Sequence, residues 1–157
     1  MNASLYVDGG VCGRNPSKIG GTWAWILVED AILVKQASGI VTPEDIGVAA
    51  VTNNQTELLA AVRALDAAGK EWQGILWTDS QVTKYRLEDS KSFEGVPSWL
   101  RLWTLAIRRQ PRRYRIKLLG GHPSLQELEQ GCRRDGTPVS KWNVFCDEEC
   151  QRLAKSF

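Results

Sequence analysis

Four acidic side chains, widely separated in the chain, stand where metal-assisted hydrolysis would want them. Asp8 closes the apolar stretch Leu5-Tyr6-Val7 and precedes Gly9-Gly10. Asp79 closes a second apolar run, Ile75-Leu76-Trp77-Thr78. Glu57 falls in the first turn of a helix expected to begin at Thr52-Asn53-Asn54. Asp147, in Asn143-Val144-Phe145-Cys146-Asp147, is expected at the start of the last helix. Carboxylates at strand ends and helix starts tend to meet at one edge of an open α/β sheet. Four of them repel one another unless a hard cation sits among them, and an all-oxygen donor set suits Mg²⁺. Each acid also has an ordinary explanation when taken alone. Glu57 and Asp147 could answer a helix dipole, and Asp8 and Asp79 could be turn residues. The single histidine, His122, lies on a glycine-bounded loop ahead of the fourth acid.

The elements that must position these groups follow from the pattern. Leu5 to Val7 reads as a strand, followed by a connection rich in turn residues (Gly9, Gly10, Gly13, Asn15, Pro16). Residues 22–41 read as an antiparallel hairpin broken at Glu29-Asp30, with Trp23 and Trp25 on one face and Ala24 and Ile26 on the other. Thr42 to Val51 reads as a loop. Leu58, Leu59, Val62 and Leu65 recur at helical spacing after the Thr52 cap, and Gly69 ends that helix. Gly74 to Thr78 is a short strand and Gln81 to Leu87 a short helix. Glu88 to Val96 is a loop, and Trp99 to Ile107 an amphipathic helix stopped by Pro111. The alternation from Arg113 to Leu119 predicts a half-exposed strand. Gly120 to Lys141 reads as a long mobile loop with a helical piece at Leu125 to Gln130, and Asn143 to Lys155 as the closing helix. The order predicts an α/β fold, a mixed five-stranded sheet with helices on both faces.

The 157 residues are the size of one domain, with 43% hydrophobic and 24% charged residues and a net charge of +2. These values exclude disordered and collagen-like classes. The chain start lacks signal-peptide character and no apolar run is long enough to span a bilayer, so a cytoplasmic protein is expected. Cys12, Cys132, Cys146 and Cys150 are then expected as reduced thiols. A zinc site is disfavoured because paired CxxC spacing is absent. Arg108, Arg109, Arg112, Arg113, Arg115 and Lys117 form the densest basic cluster, either a solvated face or a track for a phosphate backbone.

From about Leu5 to Ala154 the chain resembles a type 1 ribonuclease H. The resemblance rests on Asp8-Gly9-Gly10, Thr52-Asn53-Asn54-x-x-Glu57-Leu58, Thr78-Asp79-Ser80-Gln81, Gly121-His122-Pro123 and Asn143-x-x-Cys146-Asp147, in the family's order. It implies a ribonuclease H-like fold over residues 1–157, with about 124–141 as an extended loop. It implies an endonuclease that cuts the RNA strand of RNA–DNA hybrids, leaving 5′-phosphate and 3′-hydroxyl ends. By the resemblance Asp8, Glu57, Asp79 and Asp147 bind two Mg²⁺ ions, with Mn²⁺ as a substitute and Asp8 as the bridging ligand. His122 is then a fifth catalytic residue, for proton transfer or product release. Two divalent ions about 4 Å apart can activate water and stabilise the leaving oxygen. Without metal, crowding should raise carboxylate pKa values.

The resemblance also places Asn15, Asn53, Asn54 and Gln81 at the hybrid's minor groove, where the 2′-hydroxyl marks RNA, with Ser80 beside them. It places Thr52 and Asn143 at a phosphate of the DNA strand. A monomer is implied. The chain departs from the family pattern in three places. Tyr85 to Pro97 is too short for the basic handle of many bacterial members. The stretch between His122 and Asp147 is longer than usual, and the Gly9 to Asn15 turn has one extra residue. The runner-up reading is a metal-dependent nuclease of the same fold acting on DNA junctions or strand ends. A non-catalytic hybrid-binding module would not need all four acids.

Overall fold

A computed structural model describes residues 2–111 and 113–157. Strands β1 (Ala3–Val11), β2 (Gly21–Glu29) and β3 (Ile32–Val41) form an antiparallel meander. A short helix α1 (Pro43–Ile46) follows, then α2 (Asn53–Ala68), β4 (Gly74–Thr78), α3 (Gln81–Glu88) and α4 (Ser98–Arg109). The chain closes with β5 (Tyr114–Leu118), α5 (Leu125–Gln130) and α6 (Lys141–Ala154). The sheet order is β3-β2-β1-β4-β5, with β4 parallel to β1 and β5 parallel to β4. This is the mixed five-stranded sheet that the element order predicted.

Side-chain alternation along the strands makes two cores. Leu5, Val7, Trp23, Trp25, Leu27, Leu76 and Ile116 meet Leu58, Leu59, Val62 and Leu65 of α2 on one face. Ala24, Ile26 and Val28 meet Cys146 and Cys150 of α6 on the other. The two thiols stand one turn apart on α6, and burial pushes both up, Cys150 to about 12. They are core thiols, and all four cysteines are free.

Four sequence expectations are corrected. Asp8 lies inside β1, not at its end, because pairing with β2 continues to Val11↔Gly21. Thr42–Val51 holds α1, closed by a reciprocal cap between Thr42 and Asp45. Glu57 is the fifth residue of α2, hence in its second turn, and Asp147 is the seventh of α6, so neither is a dipole-favoured first-turn acid. The long 120–141 segment contains the expected helical piece, α5, started by the Ser124–Glu127 capping box, but the rest is tied to itself and not an open loop: Gly120, Arg133 and Val139 donate backbone bonds to Pro138, Thr137 and Gly131. No helix of the described residues is long and apolar enough to cross a membrane.

Candidate metal centre and catalytic cleft

Asp8 is 5% exposed and sits where β1 runs between α2 on one face and α6 on the other. Gly9, next to it, makes the approach of α2 possible. A Cβ there would lie 2.5 Å from the Thr56 carbonyl carbon and 2.6 Å from the Glu57 nitrogen. The bare glycine lets the first turns of α2 rest on the strand, which carries Glu57 to Asp8. Thr52 fixes the start of that helix through a box with Gln55: the Thr52 hydroxyl accepts from Gln55 N at 3.2 Å, and Thr52 N donates to Gln55 Oε1 at 2.9 Å. The Tyr6↔Trp77 pairing of parallel β1 and β4 sets Asp79 level with Asp8, two residues further on. Asp147 arrives on α6, which is tied to β1 by the Cys146 and Cys150 thiols. These donate to the carbonyls of Tyr6 at 3.6 Å and Asp8 at 3.8 Å.

The result is a convergence. One carboxylate oxygen from each of Asp8, Glu57 and Asp79 lies within 4.8 Å of the others. Asp147 lines the same cleft, of about 340 Å³, but stands outside that trio. Its Oδ2 accepts from Gln151 Nε2 at 3.0 Å and faces His122 Nδ1 at 3.5 Å. His122 is a rim residue, its side chain 79% exposed.

The electrostatics record the crowding. Burial, then the charges of Asp79, Glu57 and Asp147, drive the Asp8 pKa well above the ordinary carboxylate range. Burial and the Asp79 charge raise Glu57 to about 7, against a bond from Ser80 that lowers it. Burial also raises Asp79, opposed by His122 and by a hydrogen bond from Asn143. Three hard-oxygen donors with unneutralised charge are what a divalent cation satisfies. Among the described residues no other His, Cys, Asp and Glu side chains gather in this way, so His122 and the cysteines form no zinc set.

Two relatives decide the kinship. The chain is 32% identical over 147 residues to a ribonuclease H of Bradyrhizobium diazoefficiens, covering 85% of this chain and 88% of that one. It is 32% identical across 176 aligned positions to a ribonuclease H of Treponema denticola, covering 98% and 99%. The chain belongs to the ribonuclease H family. No family model matches it. Its fold is similar to the solved ribonuclease H of Halobacterium salinarum, with a TM-score of 0.66, 18% identity and full coverage of both chains. It is equally similar to an N-terminal ribonuclease H domain from Mycobacterium tuberculosis, with a TM-score of 0.66, 15% identity and coverage of 99% and 95%.

The residues expected at the substrate do not all lie together. Asn15 and Asn53 line the cleft with the acids, and Asn53 N donates to Asn15 Oδ1 at 3.2 Å. Asn54 is exposed over a neighbouring hollow lined by Tyr85 and Arg86. Gln81 is exposed and donates to the Tyr85 hydroxyl at 2.7 Å. Ser80 caps α3 by accepting from Thr83 N at 3.1 Å and also bonds to Glu57. Asn143 is 2% exposed, donates to Asp79 with its own Oδ1 unpartnered, and lines an adjoining hollow with Asp79, His122 and Asp147, so it positions a carboxylate. Sequence reading missed the close approaches. A Cβ on Gly121 would sit 2.7 Å from Asp79 Oδ2, and Arg133 of the extra segment donates to the Gly121 carbonyl, next to His122. The glycines flanking Asp8 and His122 in the motifs were the available signal. The basic cluster also divides. Arg108 Nη1 bonds the carbonyls of Ser90 at 2.8 Å and Arg86 at 3.4 Å, whereas Arg115 and Lys117 stand exposed on β5. Arg112 lies outside the described residues.

Proposed function

We propose that this chain hydrolyses the RNA strand of RNA–DNA hybrids as an endonuclease, using divalent cations held by Asp8, Glu57, Asp79 and Asp147. The observation that carries the reading is the oxygen trio within 4.8 Å, on the floor of a cleft that also holds Asn15 and Asn53. The residues fit the cation by donor type and by the raised pKa values that crowding imposes in its absence. Bound Mg²⁺, or Mn²⁺ in its place, would supply an activated water and charge neutralisation at the leaving oxygen.

The chain supplies the rest. Asp8 is the most buried acid and is flanked by the other three, which suits a bridging ligand. Asn143 and Ser80 orient Asp79 and Glu57 by hydrogen bonds. His122, beside Asp147 and open to solvent, is placed to carry a proton to the leaving 3′ oxygen or to loosen the product. Water attack at phosphorus with departure of that oxygen leaves 5′-phosphate and 3′-hydroxyl ends. Asn15, Asn53, Asn54 and Gln81 are the side chains available to read a 2′-hydroxyl in the minor groove. Thr52, at the α2 cap, is available to a phosphate of the DNA strand. We assign the protein to the cytoplasm as a monomer.

The test is a substrate panel: a labelled hybrid, a DNA duplex and an RNA duplex, each with Mg²⁺, Mn²⁺ or a chelator. Internal RNA cuts confined to the hybrid and abolished by the chelator are expected. Cutting of duplex DNA would defeat the assignment.

A further inference from the structure

Among the described residues, one half of one sheet face carries no helix. Helix α6 packs across β1, β2 and β3 and stops short of β4 and β5, while α2, α3 and α4 hold the opposite face. Strand register sets two rows of side chains across this open half. One row is Ser4, Ile75 and Arg115; the other is Tyr6, Trp77 and Lys117. Their chain neighbours Leu5, Leu76 and Ile116 are buried in the main core, which turns these six to the other side.

The second row has an organised chemistry. The Tyr6 and Trp77 rings lie within 12° of parallel, with centroids 6.5 Å apart. Trp77 Nε1 donates to Ser4 Oγ at 3.4 Å, which holds the indole across β1. Lys117 Nζ lies 5.9 Å from the Trp77 ring. Both rings are only half-buried, and Arg115 and Lys117 are exposed. The platform continues to the start of α6. There Trp142 and Tyr6 pack on the same small cluster, and Lys141 Nζ lies 4.9 Å from the Trp142 ring. Neither row contains an acid. At one end the same face runs on to Asp8 and Asp79, two residues beyond Tyr6 and Trp77; away from them the aromatic rings are bordered by the cations of β5 and the start of α6.

We propose that this face binds single-stranded nucleic acid, with bases stacking against Tyr6 and Trp77 and phosphates running past Arg115, Lys117 and Lys141. The cations call for a polyanion, and the rings for unpaired bases. The bases of a hybrid duplex are already stacked within it, so the occupant is an unpaired strand, on a surface that adjoins the cleft at Asp8 and Asp79 and extends from it across β4 and β5. The binding stands or fails independently of the cleavage reading.

The experiment is fluorescence anisotropy of a fluorescein-labelled thymidine oligomer of about a dozen nucleotides, at low salt and with a chelator present. Binding by the wild-type chain is expected. Trp77→Leu should weaken it about tenfold, and Trp77→Phe should restore most of that loss. Arg115→Ala/Lys117→Ala should make the log–log salt dependence shallower by about 1.4, the share of two cations on a single strand. Photocrosslinking through 4-thiothymidine, mapped to the residue, should label Tyr6 or Trp77. Absence of oligomer binding, crosslinks confined to cleft residues such as Asn15, Asn53 or His122, or affinity unchanged in the Arg115/Lys117 variant would overturn the proposal. So would sedimentation with phosphatidylserine vesicles without oligomer binding, which would reassign the face to a membrane surface.

Discussion

Asp8 concentrates the chemistry of the site because it is the one acid whose charge is both buried and crowded by three others. Removing its charge while keeping its shape separates catalysis from binding. Asp8→Asn is expected to abolish cleavage, by at least about 10³-fold, and to leave hybrid affinity largely intact by gel shift. Unchanged turnover in that variant would refute the site. His122 belongs to a different class. It is exposed and packs little, so His122→Ala should leave the melting temperature unchanged while slowing turnover about 10²-fold, as loss of a proton carrier does. Equal turnover would make it a bystander. At this scale the residue types were legible in the sequence. The commitments of Asn143 to Asp79 and of Arg108 to two carbonyls were not, because burial decides whether a polar group faces a ligand or a neighbour.

Between elements, the site depends on how closely α2 lies on β1. That spacing is set by Gly9, whose missing side chain leaves room for the Thr56–Glu57 backbone. Gly9→Ala must push the helix away, since two of the three colliding atoms, Thr56 C and Glu57 N, are main chain. The expected cost is about 1 to 3 kcal/mol by chemical denaturation, with cleavage falling further than stability explains because Glu57 moves off Asp8. Wild-type stability and activity in that variant would remove the argument for close approach. Element existence was readable from periodicity, caps and glycines, as α2, β4 and α5 demonstrate. Ends were less so. β1 continues past Asp8 because β2 supplies Trp23, Thr22 and Gly21 as partners for Gly9, Gly10 and Val11, across a turn that sequence pattern does not resolve.

For the molecule as a whole, the metal-free site is a source of instability. Glu57 is raised to about 7 from an ordinary 4.5, and Asp8 and Asp79 are shifted in the same direction. The folded state therefore holds protons that the unfolded state releases, so the contribution of these groups to stability falls as pH rises from about 4.5 through 7. In chelator, urea denaturation should show Glu57→Gln more stable than wild type at pH 8, with the difference shrinking as pH falls and vanishing only below about pH 4. Saturating Mg²⁺ should erase the advantage at pH 8 by stabilising the wild type selectively. A difference that is flat with pH, or that grows toward pH 5, would contradict the crowding.

The sequence by itself determined the alternating and helical periods, hence the sheet and its helices, and the identities of the acids that mark the family. Those are local properties: period, cap and residue type are written in neighbouring positions. Tertiary structure alone decided that Asp8, Glu57 and Asp79 share a floor while Asp147 stands beside it with His122. It also decided that the segment after Gly120 folds back on itself, and that α6 leaves the Tyr6 and Trp77 rings uncovered. Each of these rests on distances between parts of the chain far apart in order, fixed by strand register and by how near two backbones can come.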